Sequence, residues 1–286
     1  MTRRCTQRQF LLRPSPLANQ IFRYCVAYAA EKAEVVIHAI CTLSNHHHVV
    51  LTDPKGNLPV FAEWFHKYTA KCLNVSLGRW ENLWSSHPYS AVRLESIDDM
   101  LDKILYTMLN PVSACLTPTA EQWPGVISLP DDYLKGPVVV ERPAVYFSKK
   151  GKMPATITLN IVPPKCMEEA TTEEFVEMLS EELKLRQADI CRQHRLANRQ
   201  FLGREAVLNQ DPFSSPQSFA PRRTLNPRIG AKDKWRRIEA IGRLQTFLVE
   251  YRDALKKWKQ GHYDVVFPAG TYWMVRHANA VSAAPN

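Results

Sequence analysis

Two β-branched runs, residues 34–41 (EVVIHAIC) and 46–52 (HHHVVLT), are separated by only four residues, Thr42-Leu43-Ser44-Asn45. A parallel pair needs a crossover of a dozen or more residues, so a link this short makes the two runs an antiparallel hairpin. Helical patterns stand on both sides of it. Over 17–32, Leu17, Ile21, Tyr24, Cys25 and Tyr28 recur at three- and four-residue spacing, and over 58–77 Phe61, Phe65, Tyr68 and Cys72 share one face. A strand-like run at 5–12, closed by Arg13-Pro14-Ser15-Pro16, precedes the first helix, and another at 89–94 (YSAVRL) follows the second. A third helix is predicted from Ser96, where Ser96 and Asp99 make a capping pair ahead of Met100, Leu101, Ile104, Leu105 and Met108. The order is strand, helix, strand, strand, helix, strand, helix. Interleaved elements around a central hairpin predict an α+β, split βαβ or ferredoxin-like sandwich, with a mixed or antiparallel sheet and helices on one face.

The chain changes character near residue 120. Pro118, Pro124, Pro130 and Pro137 punctuate a linker, and strands are expected at 138–147 and 155–162. A long helix over 172–198 is Glu-rich at its start and Arg-rich at its end, as the helix dipole favours. After an irregular stretch at 209–230, a second long helix over 233–259 carries Trp235, Ile238, Ile241, Leu244, Phe247, Leu248, Tyr251 and Leu255 as an apolar stripe. Short strands are expected at 264–267 and 271–275. The sequence thus divides into a domain over 1–125 and a basic, mixed α/β extension over 126–286. Charge sharpens the division: the net charge is +9, yet residues 184–259 alone hold eighteen Lys and Arg against seven Asp and Glu. A local excess of that size is an electrostatic footprint for nucleic acid. Seven cysteines without a CxxC pair argue against a zinc ribbon, a thioredoxin-like motif or a disulfide scaffold. Neither a signal-peptide core nor an apolar run of about 18 residues is present, so a reduced, soluble, cytoplasmic protein is expected.

The chemistry is concentrated in two stretches. In Ser44-Asn45-His46-His47-His48-Val49-Val50, strand alternation places His46 and His48 on one face with Cβ atoms roughly 6–7 Å apart, and His47 on the other. Two imidazoles at that spacing can converge on one divalent ion. In Leu105-Tyr106-Thr107-Met108-Leu109-Asn110-Pro111-Val112, Tyr106 and Asn110 are one helical turn apart, with Pro111 ending the helix beside them.

Together these stretches resemble the HUH-type single-tyrosine transposases of small bacterial insertion sequences, most nearly the REP-associated tyrosine transposases. That family pairs an Asn-His-x-His strand with a Tyr-x-x-x-Asn-Pro-Val helix, and both occur here in order, about sixty residues apart. Gly78-Arg79-Trp80, Leu83-Trp84 and Trp123-Pro124 resemble further family signatures, so the likeness spans residues 1–125. His47 at the middle position leaves the ligand assignment open by one residue, and Ser85-Ser86-His87 stands where the family has Gln-Arg.

The resemblance implies that Tyr106 is the nucleophile, that His46, His48 and Asn110 hold Mg²⁺ or Mn²⁺, and that single-stranded or hairpin DNA is cut through a 5′-phosphotyrosine link. A free phenol, with pKa near 10, needs such a setting to react at neutral pH. No GxxxxGK[ST] loop occurs, consistent with rejoining that needs no nucleotide cofactor. Lys67, Lys71 and Arg93 are candidates to track a DNA backbone. The run Arg222, Arg223, Arg228, Lys234, Arg236 and Arg237 suits a flexible arm along the strand. A monomer is favoured. The competing readings are a rolling-circle initiator or relaxase, a domesticated palindrome-binding protein, and a structural zinc protein using Cys41, His46 and His48.

Overall fold

The structure is a computed structural model that describes residues 1–148, 150–165, 171–219 and 227–284. Arg222 and Arg223 therefore lie outside the described residues. The chain runs β1 (Thr2–Arg4), α1 (Pro16–Ala33), β2 (Val36–Leu43), β3 (His46–Thr52), α2 (Leu58–Ser76), β4 (Arg93–Leu94), α3 (Ile97–Met108), α4 (Asn110–Ser113) and α5 (Asp132–Lys135). It continues through β5 (Val138–Glu141), β6 (Thr156–Leu159), α6 (Thr172–Leu196), α7 (Arg204–Leu208), β7 (Ile229–Gly230), α8 (Lys234–Lys259), β8 (Val266–Phe267), α9 (Trp273–Ala278) and β9 (Val281–Ser282). This is a mixed α+β chain with small sheets. Among the described residues, no helix is long and apolar enough to cross a membrane.

The hairpin is the centre of the fold. β1, β3 and β2 form an antiparallel sheet in that order, with His48 between Thr2 and Cys41 and His46 between Arg4 and Leu43. Ser90 adds to the outer edge through a bridge to Thr2, each donating its N–H to the other's carbonyl at 2.9 Å. α1 and α2 cover one face. Ser15 caps α1 by accepting from Ala18 N, and Pro16 takes the first turn, where its missing N–H costs nothing. Asp53 fixes the entry to α2 by accepting from the N–H groups of Asn57 and Leu58 at 2.8 and 2.7 Å.

The other face is covered as well, contrary to the expectation of helices on one side only. Ala39 and Val50 pack beneath Ile104, Leu105, Met108 and Leu109, and this layer continues into Tyr133, Phe175, Val176, Leu179 and Leu183. Polar contacts tie it down: Tyr133 Oη donates to His38 O at 2.7 Å, Arg186 to Asp102 at 2.7 Å, and the His194 ring meets Val112 O at 2.9 Å. Glu174 and Thr171 form a reciprocal capping box at the start of α6.

Because α5 and α6 complete the core begun by α3, the compact units do not part at residue 125. One comprises 1–91 and 100–227, the other 92–99 and 228–286.

The second unit pairs β4 with β7 and β8 with β9, each in parallel, and buries Ala254, Phe267, Met274 and Ala280 together. That cluster reaches only the C-terminal half of α8, so Trp235, Ile238, Ile241 and Leu248 of the expected stripe stay exposed. Three local expectations are corrected. The stretch expected as a strand at 5–12 holds a single 3₁₀ turn at Thr6–Arg8, since contiguous Phe10, Leu11 and Leu12 cannot alternate as a strand requires. The run at 89–94 is split between the bridge at Ser90 and β4. Residues 273–278 form α9 rather than a strand.

Candidate active site

β3 and α3 meet on the second face of the sheet. The rings of His46 and His48 are edge-to-face with centroids 5.0 Å apart, and the Tyr106 ring stands 5.5 Å from His48 at 81°. Tyr106 is 45% exposed while Leu105 and Thr107 beside it are buried, so α3 turns Tyr106 outward. α3 stops at Met108 because Pro111 has no N–H to return to Thr107, and Asn110 opens the short α4 instead. The break turns Asn110 into the core, where it is buried and makes no hydrogen bond to either imidazole. The structure therefore gathers His46, His48 and Tyr106, with Asn110 buried at the start of α4.

The two imidazoles suit a metal by their protonation. Asn45 Nδ2 donates to Arg8 O at 3.1 Å, which leaves Oδ1 facing His46 Nδ1 at 2.7 Å. An amide oxygen only accepts, so Nδ1 carries the proton and Nε2 the lone pair. Burial, reinforced by Arg4 and Arg8, lowers His46 to about 4, so it is neutral at pH 7. Burial also holds His48 well below the usual imidazole range, with His46, the chain's amino group, Arg4 and Lys103 adding to it. His48 Nε2 is buried without a hydrogen-bond partner. An orphaned ring nitrogen costs about 1–3 kcal/mol, a penalty that a bound cation removes. The pair thus fits a divalent ion completed by oxygen ligands. Among the described residues no three His, Cys, Asp or Glu are grouped to hold a metal ion.

His47 occupies the opposite face. Its Nε2 lies 3.0 Å from His66 Nε2, and its ring packs edge-on against Phe22, Phe65 and Trp84. His47→Ala is expected to cost about 2–4 kcal/mol through the cavity it leaves, read as a lowered denaturant midpoint. An unchanged midpoint would contradict the packing role.

Lys67 sits on α2, over the rings of Trp64 and Tyr68 at 5.0 and 5.9 Å, and Lys71 lies 5.2 Å from the Tyr146 ring. Both belong to the layer on the far side of the sheet from His46 and His48. Arg93 pairs with Glu95 at 3.1 Å in the second unit. Arg228 is exposed beside β7, and Lys234, Arg236 and Arg237 form the exposed first turn of α8, capped by Asp233, rather than an arm. The cations near the histidines are Arg4, Arg8 and Lys103. Strand alternation from Thr2 and helix spacing back from Tyr106 were the available signals for Arg4 and Lys103. No protein-family model, curated protein or solved structure matches the chain.

Proposed function

We propose that the chain is a metal-dependent DNA-strand transferase of the HUH single-tyrosine kind, acting as a monomer on single-stranded or hairpin DNA. The observation that carries this reading is the convergence of Tyr106 on the His46–His48 pair, 5.5 Å from His48, from elements distant in sequence. The strand order Ser90, β1, β3, β2 supports a ferredoxin-like topology beneath it. The basic balance of the chain supports a polyanionic substrate.

Tyr106 Oη attacks phosphorus, the bond from phosphorus to the 3′-oxygen breaks, the phenolic proton passes to solvent and the departing 3′-oxygen takes one up. The product is a 5′-phosphotyrosine and a free 3′-hydroxyl. The ester retains the energy of the broken linkage, so attack by a 3′-hydroxyl reverses the step without a nucleotide. His46 and His48, with Asn110 as a third candidate, would hold Mg²⁺ or Mn²⁺, which supplies Lewis-acid stabilisation of charge on the phosphate.

The test is covalent capture with 5′- and 3′-labelled hairpin oligonucleotides in Mg²⁺, Mn²⁺ or EDTA. A metal-dependent adduct bearing the label 3′ of the cut is expected. Tight binding to hairpins without any adduct would favour the palindrome-binding reading instead. His46→Ala and His48→Ala are each expected to lower adduct formation more than about a hundredfold, since even outer-shell changes at metal sites cost 10–100-fold. Full adduct yield from either variant would remove that histidine from the site.

A further inference from the structure

Lys103 lies one helical turn before Tyr106 on α3, and its Nζ stands 5.0 Å from the centroid of the tyrosine ring. Residues three apart share a helix face, so ammonium and phenol project from α3 together. The neighbouring carboxylate meets this charge only in a long ion pair. Asp102 Oδ1 is held by Arg186 at 2.7 Å, whereas Lys103 Nζ is 4.0 Å from Asp102 Oδ2, beyond hydrogen-bond range. The Lys103 side chain is 45% exposed, so the ammonium that stands by the Tyr106 ring also faces solvent and is open to a ligand.

We propose that Lys103 is a catalytic residue that binds a non-bridging oxygen of the scissile phosphate beside Tyr106. This rests on the tyrosine-transferase reading and adds to it the group that meets the phosphate on the nucleophile's own helix. A lysine is a compact point charge suited to one phosphate oxygen. While the bond from Oη to phosphorus forms and the bond to the 3′-oxygen breaks, Lys103 gains and loses no proton. It acts only as a fixed counter-charge to the negative charge that grows on the phosphate oxygens.

Two measurements test it. The rate of adduct formation is compared for wild type, Lys103→Met and Lys103→Arg, at the cleavage position mapped from the wild-type adduct. Loss of one preorganised donor typically costs 10²–10³ in rate, so Lys103→Met is expected to be slower by about a hundredfold, with Lys103→Arg recovering to within about tenfold of wild type. Binding is then measured without chemistry in the Tyr106→Phe background, on hairpins with a phosphate or a neutral methylphosphonate at that position. The methylphosphonate is expected to weaken binding when Lys103 is present and to make no difference when Lys103→Met is added. Equal weakening with and without Lys103, or a Lys103→Met rate within twofold of wild type, would overturn the proposal while leaving Tyr106 as nucleophile. Absence of any wild-type adduct would overturn both.

Discussion

Tyr106→Phe is expected to abolish covalent attachment to DNA completely while leaving folding and DNA affinity as they are. The change removes one oxygen from a side chain that is 45% exposed and whose ring contacts, to His48 and Lys103, a phenyl group reproduces. Surface substitutions of this kind fall within about 0.5 kcal/mol in stability, so a thermal melt should coincide with that of wild type. Loss of the adduct with an unchanged melt and unchanged hairpin affinity would isolate the hydroxyl as the reacting group. An adduct that persists would transfer the role to another residue. Tyr89 is the tyrosine nearest the buried histidines of the other layer, with its ring 5.7 Å from His66, and it would then be the first to replace.

Ending the chain after residue 125, where the family resemblance stops, is expected to yield a protein that does not fold cooperatively. The cut removes Tyr133, Phe175, Val176, Leu179 and Leu183, all buried in one cluster with Ile104, Leu105 and Met108 of α3, and with them the Arg186–Asp102 ion pair. Burial of each such side chain contributes about 1.5–3 kcal/mol, so the five together rival the 5–15 kcal/mol by which a typical domain is stable. Circular dichroism and a urea titration of residues 1–125 against the full chain decide the matter. A sharp unfolding transition in the fragment would show that the first 125 residues carry their own core.

That expectation marks the boundary of what the sequence could disclose. The hairpin, α1, α2 and the tyrosine helix are legible because one-sided burial writes its period into the residues: two in HHHVVLT, and three to four around Phe61, Phe65 and Cys72. The same alternation shows that His46 and His48 share a face and that His47 does not. α6 is legible as a helix but not as the cover of the sheet's second face, since an amphipathic pattern states that a face is buried and not what buries it. The helix break is less legible: the spacing of Asn110 from Tyr106 assumes an unbroken helix, whereas Pro111 withdraws a hydrogen bond and Asn110 opens a separate short helix. The cations were legible only in part. Charge density identifies a basic segment without direction, and Lys67 and Lys71 lie on tyrosine and tryptophan rings of their own layer. The interleaving of Trp64, Lys67 and Tyr68 on one helix was the available sign of that.

The position of β3 between β1 and β2 gives the two halves of the site unequal mechanical compliance. Displacing His46 or His48 requires breaking backbone ladders on both edges of the strand, an opening close in cost to unfolding the sheet, so those amides belong to the slowest class in hydrogen exchange. Tyr106 rides on the solvent side of a helix that ends two residues later, at Met108, and that is held to the sheet by buried Ile104, Leu105 and Met108 rather than by a backbone ladder. The two histidines are therefore held by backbone on both sides, whereas Tyr106, the proposed nucleophile, is held by side-chain packing alone. Such a division suits a reaction in which one end of a cut strand stays attached to the tyrosine while the other is exchanged.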